Sequence, residues 1–168
     1  MVIALTGFMG CGKSTVGKIL AEMLGIRFFD LDEIIVEGEK RTIPDIFSSE
    51  GEDGFRNLEI KYLQRVLKGG GDKVLSLGGG TPTIPAARDL LREKTVCIYL
   101  RATVDTLQAN LSGSEGNRPL LKDTPLRERI SELLLIRSDA YLHSAHIVID
   151  IDGLSADEIA EEIIIGCL

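Results

Sequence analysis

The sequence has little cysteine, and this excludes two kinds of cross-linked fold. Its three cysteines, Cys11, Cys97 and Cys167, are an odd and scattered set without metal-ligand spacing, so we expect neither a disulfide framework nor a zinc site. Cys97 and Cys167 lie in apolar runs, where a cysteine usually serves as a small core residue. Cys11 lies inside a glycine-rich loop, and there we expect its side chain to be exposed.

Runs of basic residues and long apolar runs are also missing. The net charge is −7, from 19 basic and 26 acidic residues, which argues against broad binding to nucleic acid because that affinity comes from neutralising phosphates. No apolar run approaches the roughly 20 residues of a membrane span, and no secretory signal opens the sequence. At 168 residues the chain fits one domain. We expect a cytoplasmic monomer that binds small molecules.

What the sequence does have is a phosphate-binding loop near its start. Residues 7–15 read GFMGCGKST, which matches G-x-x-x-x-G-K-[ST] between an apolar run and a helical pattern, the context that this motif requires. The backbone N–H groups, the helix dipole and the Lys13 ammonium would all face a phosphate. Ser14 offers a hydroxyl to Mg²⁺. The alternative, a glycine-rich turn with a chance Lys-Ser, does not explain the flanking strand and helix.

Two acids follow the next strand. The helix after the loop stops at Gly25, and residues 27–30 read as a short strand that ends in Asp30. Strand, loop, helix and strand then form a βαβ unit, whose carboxyl edge carries the loop and both Asp30 and Asp32. These acids could be only an N-cap and a solvated neighbour. Beside a phosphate loop they are also candidates for orienting an acceptor hydroxyl and for holding Mg²⁺.

The next region predicts interrupted helices. Across residues 33–68, Pro44 stands near a helix start, and Gly51 and Gly54 precede a longer helix. Arg56 falls in the first turn of that helix, where a cation opposes the helix dipole. It is therefore either a solvated residue or one held there for an anion, and the helix alone favours the solvated alternative.

Three consecutive glycines follow another apolar strand. Residues 74–77 read as that strand, and Gly78, Gly79 and Gly80 come directly after it. A triple glycine can be a flexible loop. After a buried strand, it more often gives a ligand close access to backbone N–H groups.

The second half of the chain predicts two further strands, a polar loop and a buried arginine. Residues 95–100 and 146–150 read as strands, and residues 112–124 are small and polar around Arg118, which predicts a lid. Arg137 falls on the apolar stripe of the helix that follows. Because arginine is rarely buried alone, Arg137 either pairs with a structural acid or meets a ligand anion.

As a set, these residues resemble the shikimate kinases, small P-loop kinases of aromatic amino-acid (chorismate) biosynthesis. The resemblance runs in order over nearly the full chain and rests on GFMGCGKST, the DLD acids, Phe55-Arg56, the triple glycine, RPLL at Arg118, and Arg137 followed four residues later by Tyr141. It implies an α/β fold, a three-layer αβα P-loop kinase domain with a five-stranded parallel sheet. It also implies a helical substrate-binding insertion near residues 33–60 and a lid near residues 112–123.

The resemblance further implies the reaction, transfer of the γ-phosphate of ATP to the 3-hydroxyl of shikimate. It places Asp32 on the reacting hydroxyl, and Arg56 and Arg137 on the carboxylate, with the triple glycine beside them. A planar guanidinium suits a carboxylate better than lysine does, because it donates two parallel hydrogen bonds.

The loop pattern and the resemblance together assign the donor side of the site. The residues expected to bind ATP are Gly10, Cys11, Gly12, Lys13, Ser14, Thr15 and Arg118, and those expected at Mg²⁺ are Ser14 and, through water, Asp30. Catalysis is assigned to Lys13, Asp32 and Arg118, where two cations neutralise charge on the transferring group.

Two segments depart from the family pattern. Many members carry an arginine near the start of the lid that stacks on adenine, but residues 108–111 here read QANL, and residues 150–153 after the last strand read DIDG. The adenine contacts are therefore not predicted.

Two other functions remain as alternatives. A different small-molecule P-loop kinase, such as a gluconate kinase, would share the loop but has no evident need for two carboxylate-binding arginines. A non-catalytic ATP-binding regulator would hold ATP without turning over an acceptor.

Overall fold

Strands and helices alternate along the chain, as in α/β proteins. The computed structural model describes residues 1–112, 118–121 and 124–167. The strands are β1 (Val2–Thr6), β2 (Arg27–Asp30), β3 (Lys73–Ser76), β4 (Val96–Arg101) and β5 (Ile147–Asp150). The helices are α1 (Lys13–Leu24), α2 (Leu31–Glu39), α3 (Ile43–Lys68), α4 (Pro85–Lys94), α5 (Val104–Leu111), α6 (Leu126–Ser144) and α7 (Ala156–Cys167), with short 3-10 turns at Thr81–Thr83 and Pro119–Leu121.

The strands form one parallel sheet in the order β2-β3-β1-β4-β5, which confirms the predicted five-stranded sheet. Since β1 lies between β3 and β4, the strand order reverses there. Ligands of open α/β sheets bind at the carboxyl ends of the strands, at such a reversal. The carboxyl ends of β1, β2 and β3 bring the phosphate loop, Asp30 and the triple glycine to this edge.

Helices cover both faces of the sheet, so each face has its own hydrophobic cluster. On β1, Ile3 and Leu5 join side chains of α1, α5, α6 and α7, whereas Ala4 joins side chains of α2, α3 and α4. This alternation follows from the two-residue period of a strand. A sheet buried on both faces explains why its strands are apolar runs.

The strand β3 is shifted by one residue from the predicted range, because a lysine is buried in it. Lys73 is 2% exposed, and its ammonium donates to the carbonyls of Val66 (3.2 Å) and Gly69 (2.6 Å) at the end of α3. The strand ends at Ser76, which places a hydroxyl at the ligand edge of the sheet.

The region predicted as interrupted helices contains α2 and α3. Gly51 has φ 71° and ψ −174° and interrupts α3, as predicted. Gly54 lies inside the helix and does not break it. No helix among the described residues is long and apolar enough to cross a membrane.

The predicted lid falls largely outside the described residues. Of residues 112–123, the structure describes 112 and 118–121, so the lid stays a prediction.

Candidate active site

The phosphate loop connects β1 to the first turn of α1. Gly12 is the N-cap of α1, with φ 89°, and provides no side-chain cap, so the first N–H groups of the helix are left for an anion. Gly10 also has a positive φ, 84°, a conformation that is costly for residues with a side chain. The Lys13 ammonium folds back over the loop and donates to the carbonyls of Gly7 (2.9 Å) and Phe8 (3.1 Å). These features are compatible with anion binding at the loop, which stays a prediction.

Cys11 departs from its predicted exposure. Its side chain is 2% exposed, and its Sγ lies 3.9 Å from Nζ of Lys13. The loop turns back on itself at this point, since the N–H of Cys11 donates to the carbonyl of Phe8 (3.2 Å). The thiol is therefore buried and the N–H is used within the loop, so a contact of Cys11 with ATP stays a prediction.

Three side-chain oxygens meet beside the loop. The Ser14 hydroxyl donates to Oδ2 of Asp30 (2.5 Å) and lies 3.2 Å from the Ser76 hydroxyl. The other oxygen of Asp30 accepts from the N–H groups of Asp32 (2.9 Å) and Glu33 (3.4 Å) at the start of α2. Asp30 is thus an N-cap and also faces the phosphate loop, so the two interpretations of this acid hold together.

Two neighbouring cavities share a wall at this edge of the sheet. We call the first the phosphate cavity; it is lined by the loop and by Asp30 and Ser76. The second, the acceptor cavity, is lined by residues of α3, the triple glycine and α6. Met9, Asp32, Gly79 and Arg118 line both cavities. A group bound in one cavity would therefore face a group bound in the other across these four residues.

Asp32 is a partly exposed residue of the shared wall, and one oxygen of its carboxylate, Oδ1, is buried without a hydrogen-bond partner among the described residues. Burial raises the pKa of Asp32 to about 7, helped by the negative charges of Glu59 and Asp30 and opposed by Lys13 and Arg118. A carboxyl with such a pKa is well matched to accepting a proton near neutral pH. The burial of Oδ1 argues against a fully solvated Asp32, and its role in the reaction stays a prediction.

Arg56 is held by two carboxylates rather than solvated. Its side chain is 14% exposed, and its guanidinium pairs with Glu59 and with Glu52, the latter at 3.2 Å. The carboxylate of Glu59 is fully buried and also accepts from the Thr81 hydroxyl (2.7 Å). The solvated alternative for Arg56 therefore fails, because burial and two acids hold its charge at the wall of the acceptor cavity.

Arg137 is buried with part of its guanidinium unsatisfied. The residue is 3% exposed, and Nη1 has no hydrogen-bond partner among the described residues. The guanidinium carbon lies 5.9 Å from the centre of the Phe8 ring. A buried cation with unused donors in a cavity wall favours a ligand anion over a structural acid.

The triple glycine lets backbone and guanidinium groups approach closely. A Cβ at Gly79 would lie 3.2 Å from the N atom of Met9 and 3.4 Å from Nη1 of Arg137, and a Cβ at Gly80 would overlap the guanidinium of Arg56. Gly78, Gly79 and Gly80 all line the acceptor cavity. The segment is closely packed, which argues against a flexible loop, and the predicted access of a ligand to its N–H groups stays a prediction.

Sequence reasoning missed two residues of the site. Glu59 lies on the apolar stripe of α3, where a buried acid is unusual, and that position was the available signal. Ser76 is the polar end of a buried strand, which is a weaker signal. Ser76 contacts a residue distant in sequence, Ser14. Glu59 pairs both with the distant Thr81 and with Arg56 three residues earlier, so the spacing to Arg56 was a second signal for Glu59.

A third cavity adjoins the phosphate loop. Gly12, Thr15 and Asn110 line both this cavity and the phosphate cavity. The amide of Asn110 donates to the carbonyl of Gly10 (2.8 Å). The side-chain amide thus braces the loop from α5, at the segment where the sequence departs from the family pattern.

Comparison with known proteins agrees with this geometry. A family profile described as shikimate kinase matches residues 9–167. A shikimate kinase of Geobacter sulfurreducens is 42% identical over 161 residues, covering 96% of this chain and 87% of its own. A solved structure of shikimate kinase from Acinetobacter baumannii in complex with shikimate superposes with a TM-score of 0.93 at 36% identity, covering 97% of this chain and 90% of the other.

A gluconokinase from Sinorhizobium meliloti is more distant. It is 18% identical with a TM-score of 0.60, over 98% of this chain and 90% of its own, a likeness that shows the fold alone. The profile match and the relative from Geobacter sulfurreducens each cover nearly the whole sequence. The chain therefore belongs to the shikimate kinase family.

Proposed function

We propose that this protein transfers the γ-phosphoryl group of ATP to the 3-hydroxyl of shikimate, which yields ADP and shikimate 3-phosphate. The observation that carries the proposal is the wall shared by the phosphate and acceptor cavities, formed by Met9, Asp32, Gly79 and Arg118. Phosphoryl transfer depends mostly on positioning and charge stabilisation. A donor in one cavity and a ring acid in the other would meet at this wall.

The acceptor cavity has the charges that a hydroxylated carboxylic acid requires. Arg56 and Arg137 would bind the carboxylate, and Asp32 would orient the attacking hydroxyl and accept its proton. Glu59 is buried and would keep Arg56 in place. Glu52 is half exposed, at 53% of its side chain, so the shikimate carboxylate can replace it on Arg56 at small cost, because exposed ion pairs contribute little.

The donor side is supplied by the loop and two cations. The N–H groups at the start of α1 would hold the phosphates of ATP, and Lys13 and Arg118 would neutralise the charge that develops on the transferring group. Lys13 is already directed across the loop by its bonds to Gly7 and Phe8. We place the nucleotide base in the third cavity, beside Thr15 and Asn110, because that cavity continues directly from the phosphate cavity.

The oxygen cluster beside the loop fits the Mg²⁺ that the family relationship implies. Ser14, Asp30 and Ser76 offer three side-chain oxygens as ligands, and only that of Asp30 belongs to a carboxylate. This set suits Mg²⁺, because the ion keeps several waters and takes its other ligands from substrate phosphates. We assign Ser14 to direct contact and Asp30 to contact through water. When bound, the ion neutralises charge on the β- and γ-phosphates.

An assay of ADP release with different acceptors tests the proposal. With purified protein, ATP and Mg²⁺, we expect turnover with shikimate, and only background release with gluconate or without acceptor. Turnover with gluconate would favour the other kinase function, because gluconate shares the carboxylate but not the ring. ATP binding without turnover on either acceptor would favour the regulator.

Conservative substitution of the two arginines tests the carboxylate assignment. Arg56→Lys and Arg137→Lys keep the charge but lose the paired donors, so each should weaken shikimate binding by roughly 1–3 kcal/mol, the range for hydrogen bonds to charged groups. ATP binding should change little. Calorimetric titration with each ligand measures both effects.

The matched control is Arg65→Lys, an exposed arginine on the same helix as Arg56. It should leave both affinities unchanged. If Arg56→Lys and Arg137→Lys weakened ATP and shikimate equally, the division between a donor and an acceptor cavity would be wrong.

The remaining expectations stay predictions. They are a single kinase domain whose substrate-binding insertion spans about residues 33–60, a lid at about residues 112–123, and a monomer that acts in the cytoplasm without nucleic-acid or membrane partners.

A further inference from the structure

Tyr141 joins the triple glycine to α6 through one hydrogen bond of its side chain. Its hydroxyl donates to the carbonyl of Gly79 at 2.5 Å, across 62 residues of sequence, and the residue is 0% exposed. Its ring packs against that of Tyr99, with the centroids 5.1 Å apart. The hydroxyl is thus held in place by ring packing and directed at a peptide that lines the acceptor cavity.

The bond acts on a segment that has little conformational restraint of its own. Gly79 and Gly80 lack side chains, so their backbone can adopt orientations that other residues cannot. In a trans peptide, the C=O of one residue and the N–H of the next point in opposite directions, and the structure contains no cis peptide among its described residues. Fixing the Gly79 carbonyl on Tyr141 therefore also fixes the direction of the Gly80 N–H.

The same helix supplies a proposed ligand group. Arg137 lies one turn before Tyr141 on α6, so the two side chains share a face of the helix. Nη1 of Arg137 lies within 3.4 Å of the position that a Cβ on Gly79 would take. One helix turn thus positions both a guanidinium and the glycine backbone next to it.

We propose that Tyr141 is a positioning residue for the acceptor site, whose hydroxyl orients the Gly79–Gly80 peptide so that its N–H, together with Arg137, binds the shikimate carboxylate. This inference rests on the proposed function, because it assumes shikimate in the acceptor cavity. Tyr141 does not itself touch the substrate.

The protonation state of the hydroxyl suits this role. Burial raises the pKa of Tyr141 well above its usual range, and the positive charge of Arg137 and a hydrogen bond from its side chain oppose this only in part. The hydroxyl therefore stays protonated, and able to donate, throughout the pH range in which the enzyme can be assayed.

The test is Tyr141→Phe, which keeps the ring against Tyr99 and removes only the hydroxyl. We expect the KM for shikimate, and its Kd in the absence of ATP, to rise roughly five- to tenfold, the effect of about one hydrogen bond. The KM for ATP should stay within about twofold, within the scatter expected of an unaffected site. The shape of the pH–rate profile should not change, because Tyr141 is not an acid or base in the reaction.

Tyr62→Phe is the matched control. Tyr62 is also buried, at 3% exposure, and its hydroxyl donates to Glu39 (2.7 Å) on α2. This variant should lose thermal stability without a change in either KM. If Tyr141→Phe behaved in the same way, Tyr141 would be only structural and the proposal would be overturned.

The two variants distinguish failure of the positioning role of Tyr141 from failure of the proposed function. If Arg137→Lys weakens shikimate binding and Tyr141→Phe does not, only the positioning role is wrong. If neither variant affects shikimate binding, the acceptor cavity is assigned to the wrong ligand. Equal increases in both KM values for Tyr141→Phe would also contradict the proposal, because they would indicate a general disturbance of the site.

Discussion

Asp32→Asn is expected to lower kcat about 10²- to 10⁴-fold, the range for loss of a general base, while shikimate affinity changes only a few-fold. The carboxylate lies in the wall between the two cavities, and its buried Oδ1 has no partner among the described residues. Asparagine keeps the shape and can still hydrogen-bond a hydroxyl, but it cannot accept the proton. Turnover should therefore suffer much more than binding.

Steady-state kinetics and calorimetric titration of shikimate measure the two effects separately. Asp53→Asn is the control, because Asp53 is exposed on α3. This variant should leave both kcat and the affinity for shikimate unchanged. A kcat within a few-fold of wild type for Asp32→Asn would remove Asp32 from the catalytic residues. An equal loss of affinity and turnover would make it a binding residue only.

The same variant should change how stability depends on pH. Because the folded protein raises the pKa of Asp32 from 3.8 to about 7, it binds this proton more tightly than the unfolded chain does. The resulting stabilisation is present at low pH and is lost as the pH rises from about 4 to about 7. Asp32→Asn removes the titration, so the variant should exceed wild type in unfolding free energy above pH 7, by on the order of a few kcal/mol.

Urea unfolding of the ligand-free proteins at pH 4.5 and at pH 8 measures this difference. At the lower pH, wild type and variant should be more nearly equal, because much of Asp32 is then protonated. If the difference in unfolding free energy between variant and wild type did not grow with pH, the pKa of Asp32 would not be raised in the folded, ligand-free protein.

Lys13→Ala is expected to lower kcat at saturating ATP about 10²- to 10³-fold, the typical cost of removing one preorganised donor to developing charge. The lysine is 8% exposed and its ammonium crosses the loop beside the phosphate cavity. Alanine removes the positive charge and also two bonds that brace the loop, so ATP affinity should fall as well.

Two further variants separate the effect of the positive charge of Lys13 from the effect of its hydrogen bonds to the loop. Lys13→Met keeps most of the side-chain volume without the charge, and its kcat should fall as far as that of Lys13→Ala if the charge is what matters. Lys18→Ala removes an exposed lysine from the same helix and should leave kcat unchanged. Near-wild-type turnover of Lys13→Ala at saturating ATP would exclude a catalytic role for this lysine.

Local patterns predicted the first βαβ unit closely. The predicted strand at residues 27–30 matches β2, and Gly25 ends α1 in the left-handed conformation that its position suggests. Such features depend on neighbouring residues alone, because a glycine cap and an apolar period are set within one or two turns of chain. For the same reason the phosphate loop could be located, with its lysine and serine, before any contact was known.

Features that depend on distant partners were predicted poorly. Lys73 lies just before the predicted strand at residues 74–77, but β3 begins at this lysine, because carbonyls at the end of α3 satisfy its ammonium inside the sheet. Cys11 reads as exposed, but the turn of the loop buries it. Arg56 reads as solvated from its helix alone, and only its pairing with Glu59 and Glu52 shows that it is held in place.

By itself, the sequence determined the class of fold, the phosphate loop and, through an ordered set of motifs, the resemblance to one kinase family. Its short-range patterns carry this information because phosphate binding needs only consecutive N–H groups and a helix end. The tertiary structure alone decided that a carboxylate oxygen of Asp32 is buried between two cavities, that Glu59 holds Arg56, and that Tyr141 bonds to Gly79. Each of these depends on burial or on a contact with another element of the fold, and no local pattern specifies which side chains the sheet edge brings together.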